Sequence, residues 1–163
     1  MKNNIFNIDQ NKINKILEKG YLSIDDDYSF KYIVEILRLF GINAKMWMKG
    51  SYILNDNEGI MFSRNSSKEW SDEIDDNYFY EIYKSCEHID KVNEYWGTKT
   101  IYIFRKEKDT YKFIGVYQQD FKKIDELFAK GIYNKRPYKR ISNNLKLVWF
   151  RHMYRTGVFA IVL

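Results

Sequence analysis

The stretch Ile101 to Tyr117, IYIFRKEKDTYKFIGVY, limits what this chain can fold into more than any other. Its first arm, Ile101–Arg105, is apolar or aromatic up to the arginine. Lys106-Glu107-Lys108-Asp109 is a charged turn, and Tyr111–Tyr117 is a second arm of β-branched and aromatic residues. Such arms around a polar turn make a β-hairpin, because branched and aromatic side chains fit a pleated, half-buried surface. Simple alternation places Tyr111, Phe113, Gly115 and Tyr117 on one face and Lys112, Ile114 and Val116 on the other. Gly115, in mid-strand, marks a bulge or a close backbone approach.

The rest of the chain is long enough to enclose this hairpin. Its 163 residues suit one domain, and a composition 45% hydrophobic and 18% aromatic supplies a packed core. Pro137 is the single proline and no Gly/Ser linker is present, which argues against long disordered stretches. No apolar run approaches the roughly 20 residues a membrane helix needs. The start, MKNNIFNIDQ, lacks the apolar segment of a secretory signal. Cys86 is the only cysteine, so no internal disulfide forms. The expectation is a cytoplasmic protein without a membrane partner.

Charge is divided unevenly. Residues 97–163 hold 15 Lys/Arg and 5 Asp/Glu, a balance of +10, whereas residues 1–96 hold 12 and 17, a balance of −5. A basic second half points to an anionic partner, with nucleic acid or a nucleotide first, although lysines that merely solvate a surface give the same count.

Periodicity predicts a helix from Asp9 to Lys19, with Ile13, Ile16 and Leu17 inward and Gly20 as its stop. A second helix, from about Ser29 to Phe40, follows the capping carboxylates Asp25-Asp26-Asp27. Strands are then expected at Lys45–Met48, Tyr52–Leu54 and Ile60–Phe62. An acidic stretch follows at Ser71–Asn77, and Tyr78–Tyr83 fits either a strand or a short helix. Lys84 to Trp96 shows neither period. Beyond the hairpin, Asp120 caps a helix over Phe121–Lys130 with Ile124, Leu127 and Phe128 buried. The basic-aromatic stretch Tyr133–Ile141 and strands at Leu145–Phe150 and Gly157–Leu163 complete the chain.

Familiar catalytic machinery is hard to assemble from these residues. His88 and His152 are the only histidines, and no CxxC or HxxxH spacing accompanies Cys86, so no metal site is expected. Asp120-Phe121-Lys122 is the one acid two residues before a lysine that a nuclease reading would use, and it falls at a helix start, where capping explains it. No glycine-rich phosphate loop is present. No cofactor is expected, and no catalytic residue is assigned.

Aromatic and basic chemistry on β structure is what remains. Trp47, Tyr52, Trp70, Trp96, Tyr102 and Tyr117 are the ring side chains expected to line a ligand pocket. Asp72, two residues after Trp70, supplies a polar group to read a base edge. Arg105, Arg136, Lys139 and Arg140 are expected on the phosphates, since guanidinium groups grip them bidentately. Core packing is the competing account of every one of these rings, and an exposed loop without a partner is that of the basic stretch.

An aromatic strand ending in Phe104-Arg105, the run Tyr111-Lys112-Phe113-Ile114-Gly115-Val116-Tyr117, a helix, and Tyr138-Lys139-Arg140-Ile141, with Trp70 upstream, together resemble the PUA-like superfamily, which includes the SRA and EVE modules of restriction and nucleic-acid modification systems. The resemblance covers about residues 47–141. It implies an α+β fold: a twisted, partly closed antiparallel β-barrel over residues 44–163, with a helical pair, residues 1–43, packed on it and one helix after the central hairpin. It also implies an aromatic pocket for a base, often a modified one, in a non-catalytic reader of the kind found in phage and mobile-element defence. Two other readings stay open. One is a protein–protein inhibitor of a host defence nuclease, of anti-restriction or anti-CRISPR type, with Asp25–Asp27 and Asp72–Asp76 mimicking a phosphate backbone. The other is a sponge for, or hydrolase of, a small signalling nucleotide.

Overall fold

The structure, a computed structural model, describes residues 7–84 and 93–147. The element order is α1 (Gln10–Lys19), β1 (Tyr21–Ser23), α2 (Ile33–Leu39), β2 (Ser51–Asn55), β3 (Glu58–Ser63), β4 (Trp70–Ile74), β5 (Tyr78–Tyr83), β6 (Thr100–Glu107), β7 (Thr110–Gln119), α3 (Phe121–Ala129), β8 (Lys135–Ser142) and β9 (Asn144–Lys146). No helix among the described residues is long and apolar enough to cross a membrane. The expected strand Leu145–Phe150 starts within β9; its residues after 147, the expected strand Gly157–Leu163, and Cys86, His88 and His152 lie outside the described residues.

The hairpin sits at the middle of a seven-stranded sheet ordered β2-β3-β6-β7-β8-β5-β4, and β1 pairs with β9 in a separate ribbon. Pairing continues to Glu107 opposite Thr110, so the turn narrows to Lys108-Asp109, with Lys108 at φ 55°. Two-residue turns need positive φ to match the strand twist. Ile103 pairs with Gly115 and Phe104 with Phe113, which leaves Ile114 as an extra residue and Gly115 at φ 136°. This bulge overturns the simple alternation of the second arm. Tyr111, Phe113 and Val116 share one core, while Ile114 and Tyr117 belong to the other, because one inserted residue shifts every later side chain to the opposite face.

The sheet is not purely antiparallel, as β3 and β6 run parallel. The chain leaves β3, forms the β4–β5 hairpin at the far edge, and returns beside β3. Nor is the ladder closed among the described residues, where β2 and β4 are its two ends. It is strongly curled nevertheless. β4 stands four ladder steps from β6, about 19 Å in a flat sheet, yet Arg105 Nε on β6 donates to Asp72 Oδ2 on β4 at 3.2 Å.

Curling separates two cores. On the convex face, Ile13 and Ile16 of α1 and Ile36, Leu37 and Leu39 of α2 pack with Ile60, Phe62, Phe104 and Phe113. On the concave face, Met61, Phe79, Trp96, Ile101, Ile103, Tyr117 and Tyr138 meet. Asp9 caps α1 by accepting from Lys12 N, and Gly20 ends it in the left-handed conformation at φ 87°. α2 is shorter than its periodicity suggests, because Phe30 is held in backbone pairing with Tyr111. The carboxylates before it do not cap it. Asp26 accepts from Ser23 N and pairs with Lys19 at 2.6 Å.

Three local readings change. Lys45–Met48 is a loop, in which the Trp47 indole donates to Ser51 O at 3.1 Å and folds the segment back on β2. The acidic stretch from Ser71 lies in strand β4. The basic stretch from Lys135 is strand β8, and its partner β5 settles Tyr78–Tyr83 as a strand.

Candidate base-binding cavity

Where β4 curls toward β3 and β6, a cavity of about 220 Å³ opens on the concave side. Its wall includes Met61, Phe79, the Ser63–Ser67 loop, Trp70, Asp72 and Glu81. The pleat explains the polar part: Trp70 and Asp72 alternate on β4, Phe79 and Glu81 on β5, and Asp72 stands directly opposite Glu81 in the register.

Both carboxyl groups have partners. Asp72 accepts from the Ser63 hydroxyl and from Arg105, whose Nη2 also donates to Asn65 Oδ1 at 2.6 Å. Burial raises the Asp72 carboxyl above its ordinary value, and the Ser63 and Arg105 bonds offset part of that. Glu81 accepts from the Tyr138 hydroxyl. Burial pushes it upward too, against the pull of Tyr138 and of Arg136, its cross-strand neighbour. Trp70 is held from behind: the Tyr83 ring lies 4.7 Å away and the Arg136 guanidinium 5.9 Å away, and neither lines the cavity. The result is a rigid aromatic wall beside two hydrogen-bonding carboxyl groups.

Of the seven residues expected to line a ligand pocket, the fold brings Trp70 and Asp72 together there. Trp96, Tyr102 and Tyr117 are buried in the two cores, with Tyr102 bonded to Glu58. Trp47 and Tyr52 pack on each other at 4.8 Å, at the edge of the convex core. Among the four expected phosphate contacts, Arg105 bonds Asp72 and Arg136 stands beside Trp70. Arg140 Nε donates to the Tyr117 hydroxyl at 3.2 Å, and Lys139 is exposed on β8. The basic residue in the cavity wall comes from elsewhere: it is Arg64 on the β3–β4 loop, where Lys68 is also exposed, as is Lys49 before β2. Glu81 escaped the sequence reading, though a lone carboxylate inside the aromatic run Tyr78–Tyr83, in phase with Phe79, was its signal.

The family model of the SET and RING associated (SRA) domain matches residues 15–147. The chain belongs to the SRA domain family. The matched span contains every element from α2 to β9 and the whole cavity. A solved structure, "The 5-Hydroxymethylcytosine-Specific Restriction Enzyme AbaSI", superposes with a TM-score of 0.62 at 18% identity, over 82% of this SRA chain and 44% of that enzyme. This SRA chain therefore spans less than half of that enzyme, and the likeness is one of fold. A second, the "DNA modification-dependent restriction endonuclease AspBHI", aligns with a TM-score of 0.43 at 13% identity over 83% of this chain and 80% of that one. Comparison with curated proteins gives no match.

Proposed function

We propose that this SRA domain is a non-catalytic DNA-binding module that takes a modified cytosine out of the duplex into the Trp70–Asp72 cavity. The observation that carries the reading is the pairing of an aromatic wall with two carboxyl groups in one small cavity. A base stacks on an aromatic face. Carboxylates accept from an exocyclic amine, which cytosine presents on its pairing edge. At about 220 Å³ the cavity suits a single ring with a small substituent rather than a drug-sized ligand. The Ser63 hydroxyl and Asn65 are polar groups for such a substituent. The name of the structural neighbour AbaSI makes 5-hydroxymethylcytosine the first probe.

Phosphates meet Arg64 in the cavity wall, with Lys68 exposed on the same loop, while Arg105 and Arg136 support the cavity from inside. In this reading the partly closed barrel is functional: the gap that the curled ladder leaves between its ends is where the base enters. The phosphate-mimic alternative is weakened at two of its carboxylates, since Asp26 pairs with Lys19 and Asp72 with Arg105. A nucleotide sponge would share the cavity but ignore polymers, and mass spectrometry of small molecules carried through purification separates it.

Fluorescence anisotropy at low salt, with short duplexes carrying cytosine or 5-hydroxymethylcytosine, tests the proposal. Trp70→Ala is expected to weaken binding of the modified duplex about tenfold or more, as stacking contributes ~1–3 kcal/mol per base. Asp72→Asn is expected to weaken binding of both duplexes, because the exocyclic amine it accepts from is common to cytosine and 5-hydroxymethylcytosine. Circular dichroism should show both variants folded. A wild-type protein that binds neither duplex sinks the reading.

A further inference from the structure

Asp72 and Glu81 face each other across the β4–β5 ladder, and both line the cavity. Their side chains leave adjacent strands on the same face, so the two carboxyl groups are near neighbours. Their surroundings differ in charge. Asp72 has a cation: Arg105 Nε lies 3.2 Å from its Oδ2, and the Ser63 hydroxyl donates to the same oxygen. Glu81 has a neutral partner, the Tyr138 hydroxyl on Oε1, and joins no ion pair among the described residues. Arg136, its cross-strand neighbour on β8, holds its guanidinium over the Trp70 ring at 5.9 Å. Asn93 Nδ2 donates to the Tyr138 hydroxyl at 3.4 Å. Burial disfavours charge on both carboxyl groups; at Glu81 the Asp72 carboxylate adds to that and Arg136 opposes it.

A cytosine sets a requirement that this pair meets in one protonation state. Its pairing edge, the edge an extruded base offers, carries a donor, the exocyclic amine, beside an acceptor, the ring N3. An ionised carboxylate only accepts, whereas a carboxylic acid also donates. Two ionised carboxylates would set a negative charge against the N3 lone pair, in a cavity where an unpaired charge is costly. One carboxylate and one carboxylic acid, side by side, match the donor and the acceptor. The Arg105 ion pair keeps the charge on Asp72, so the proton belongs to Glu81. Tyr138 engages Oε1, which leaves Oε2 to carry it.

We propose that Glu81 binds the extruded base as the carboxylic acid, donating from Oε2 to N3, while Asp72 stays ionised and accepts from the exocyclic amine. The inference rests on the base-cavity reading and adds to it a proton that the occupied site holds. Above the pH at which Glu81 ionises in the free protein, binding therefore takes one proton from solvent. The test uses the full chain and a duplex with a single 5-hydroxymethylcytosine. Fluorescence anisotropy at constant low salt follows affinity from about pH 5.5 to about pH 8.5. Wild-type affinity is expected to be level at the acid end and then to fall by up to about tenfold per pH unit, the slope of one linked proton. Glu81→Gln, whose amide donates at every pH, is expected to flatten the profile. Calorimetry of wild type at the alkaline end, in two buffers of different ionisation enthalpy, should find close to one proton taken up, a readout that does not depend on any variant folding. A wild-type profile flat across the range, binding without proton uptake, or a slope that survives in Glu81→Gln overturns the shared proton and makes Glu81 an acceptor only. Wild type that does not bind the duplex at any of these pH values overturns the base-cavity reading itself.

Discussion

Glu81 shows how far one side chain's role depends on its surroundings. In sequence it is a single acid in an aromatic run. In the fold it is a buried carboxyl facing Asp72 across the ladder, with Tyr138 donating to it. Burial holds it above its ordinary 4.5, so between that value and the raised one the native state binds more protons than the unfolded chain. Stability from this group is therefore lost as pH rises through that window. Glu81→Gln keeps an acceptor for the Tyr138 hydroxyl and removes the ionisation. Its urea midpoint should fall less than that of wild type as pH climbs from 4.5 upward, and parallel pH profiles would contradict the assignment. Trp70 and Asp72 were legible as residue types at the right spacing. Trp96, Tyr102 and Tyr117 were not separable from them, because a core ring and a pocket ring have the same composition and period.

At the scale of the element, hydrophobic period identified α1, β2, β3, the central hairpin and α3, and end signals such as Asp120 and Gly131 limited them well. Asp120 accepts from Lys123 N at 3.0 Å, and Gly131 sits at φ 76°. Strands β4 and β8 were masked by charge. Their inward side chains are themselves charged, as Asp72 and Arg136 show, so the alternation of apolar and polar disappears. The bulge in β7 is the element on which both cores depend. A Cβ at Gly115 would stand 3.0 Å from Tyr117 Cε2 and 3.1 Å from Arg140 Nε, in a backbone conformation that side chains rarely adopt. Gly115→Ala is expected to cost about 1–3 kcal/mol, read as a lowered denaturation midpoint. An unchanged midpoint would mean that the strand can shift its bulge at no cost.

The whole molecule is a curled sheet with a core on each face, and β6 and β7 contribute to both. We propose that the helical pair of residues 1–43 has no separate stability, since its apolar faces are completed by Phe62, Phe104 and Phe113 of the sheet. Phe30 is fully buried, with its ring 5.9 Å from that of Phe104 in an edge contact. Phe30→Ala should cost about 3–5 kcal/mol. Tryptophan fluorescence and far-UV circular dichroism should still report one coincident unfolding transition. Two separated transitions would show the helices to be an independent unit.

By itself the sequence determined the local geometry: which segments are helical, where the hairpin turns, and that Gly115 interrupts a strand. These follow from short-range sterics and periodicity, which act within a few residues. Only the tertiary structure decided which rings face a cavity and which arginines face inward. That choice rests on the curl of the ladder, which brings β4 against β6 across 33 residues of chain, from Asp72 to Arg105. A separation of that length carries no period along the sequence, so packing alone selects Trp70 over Trp96.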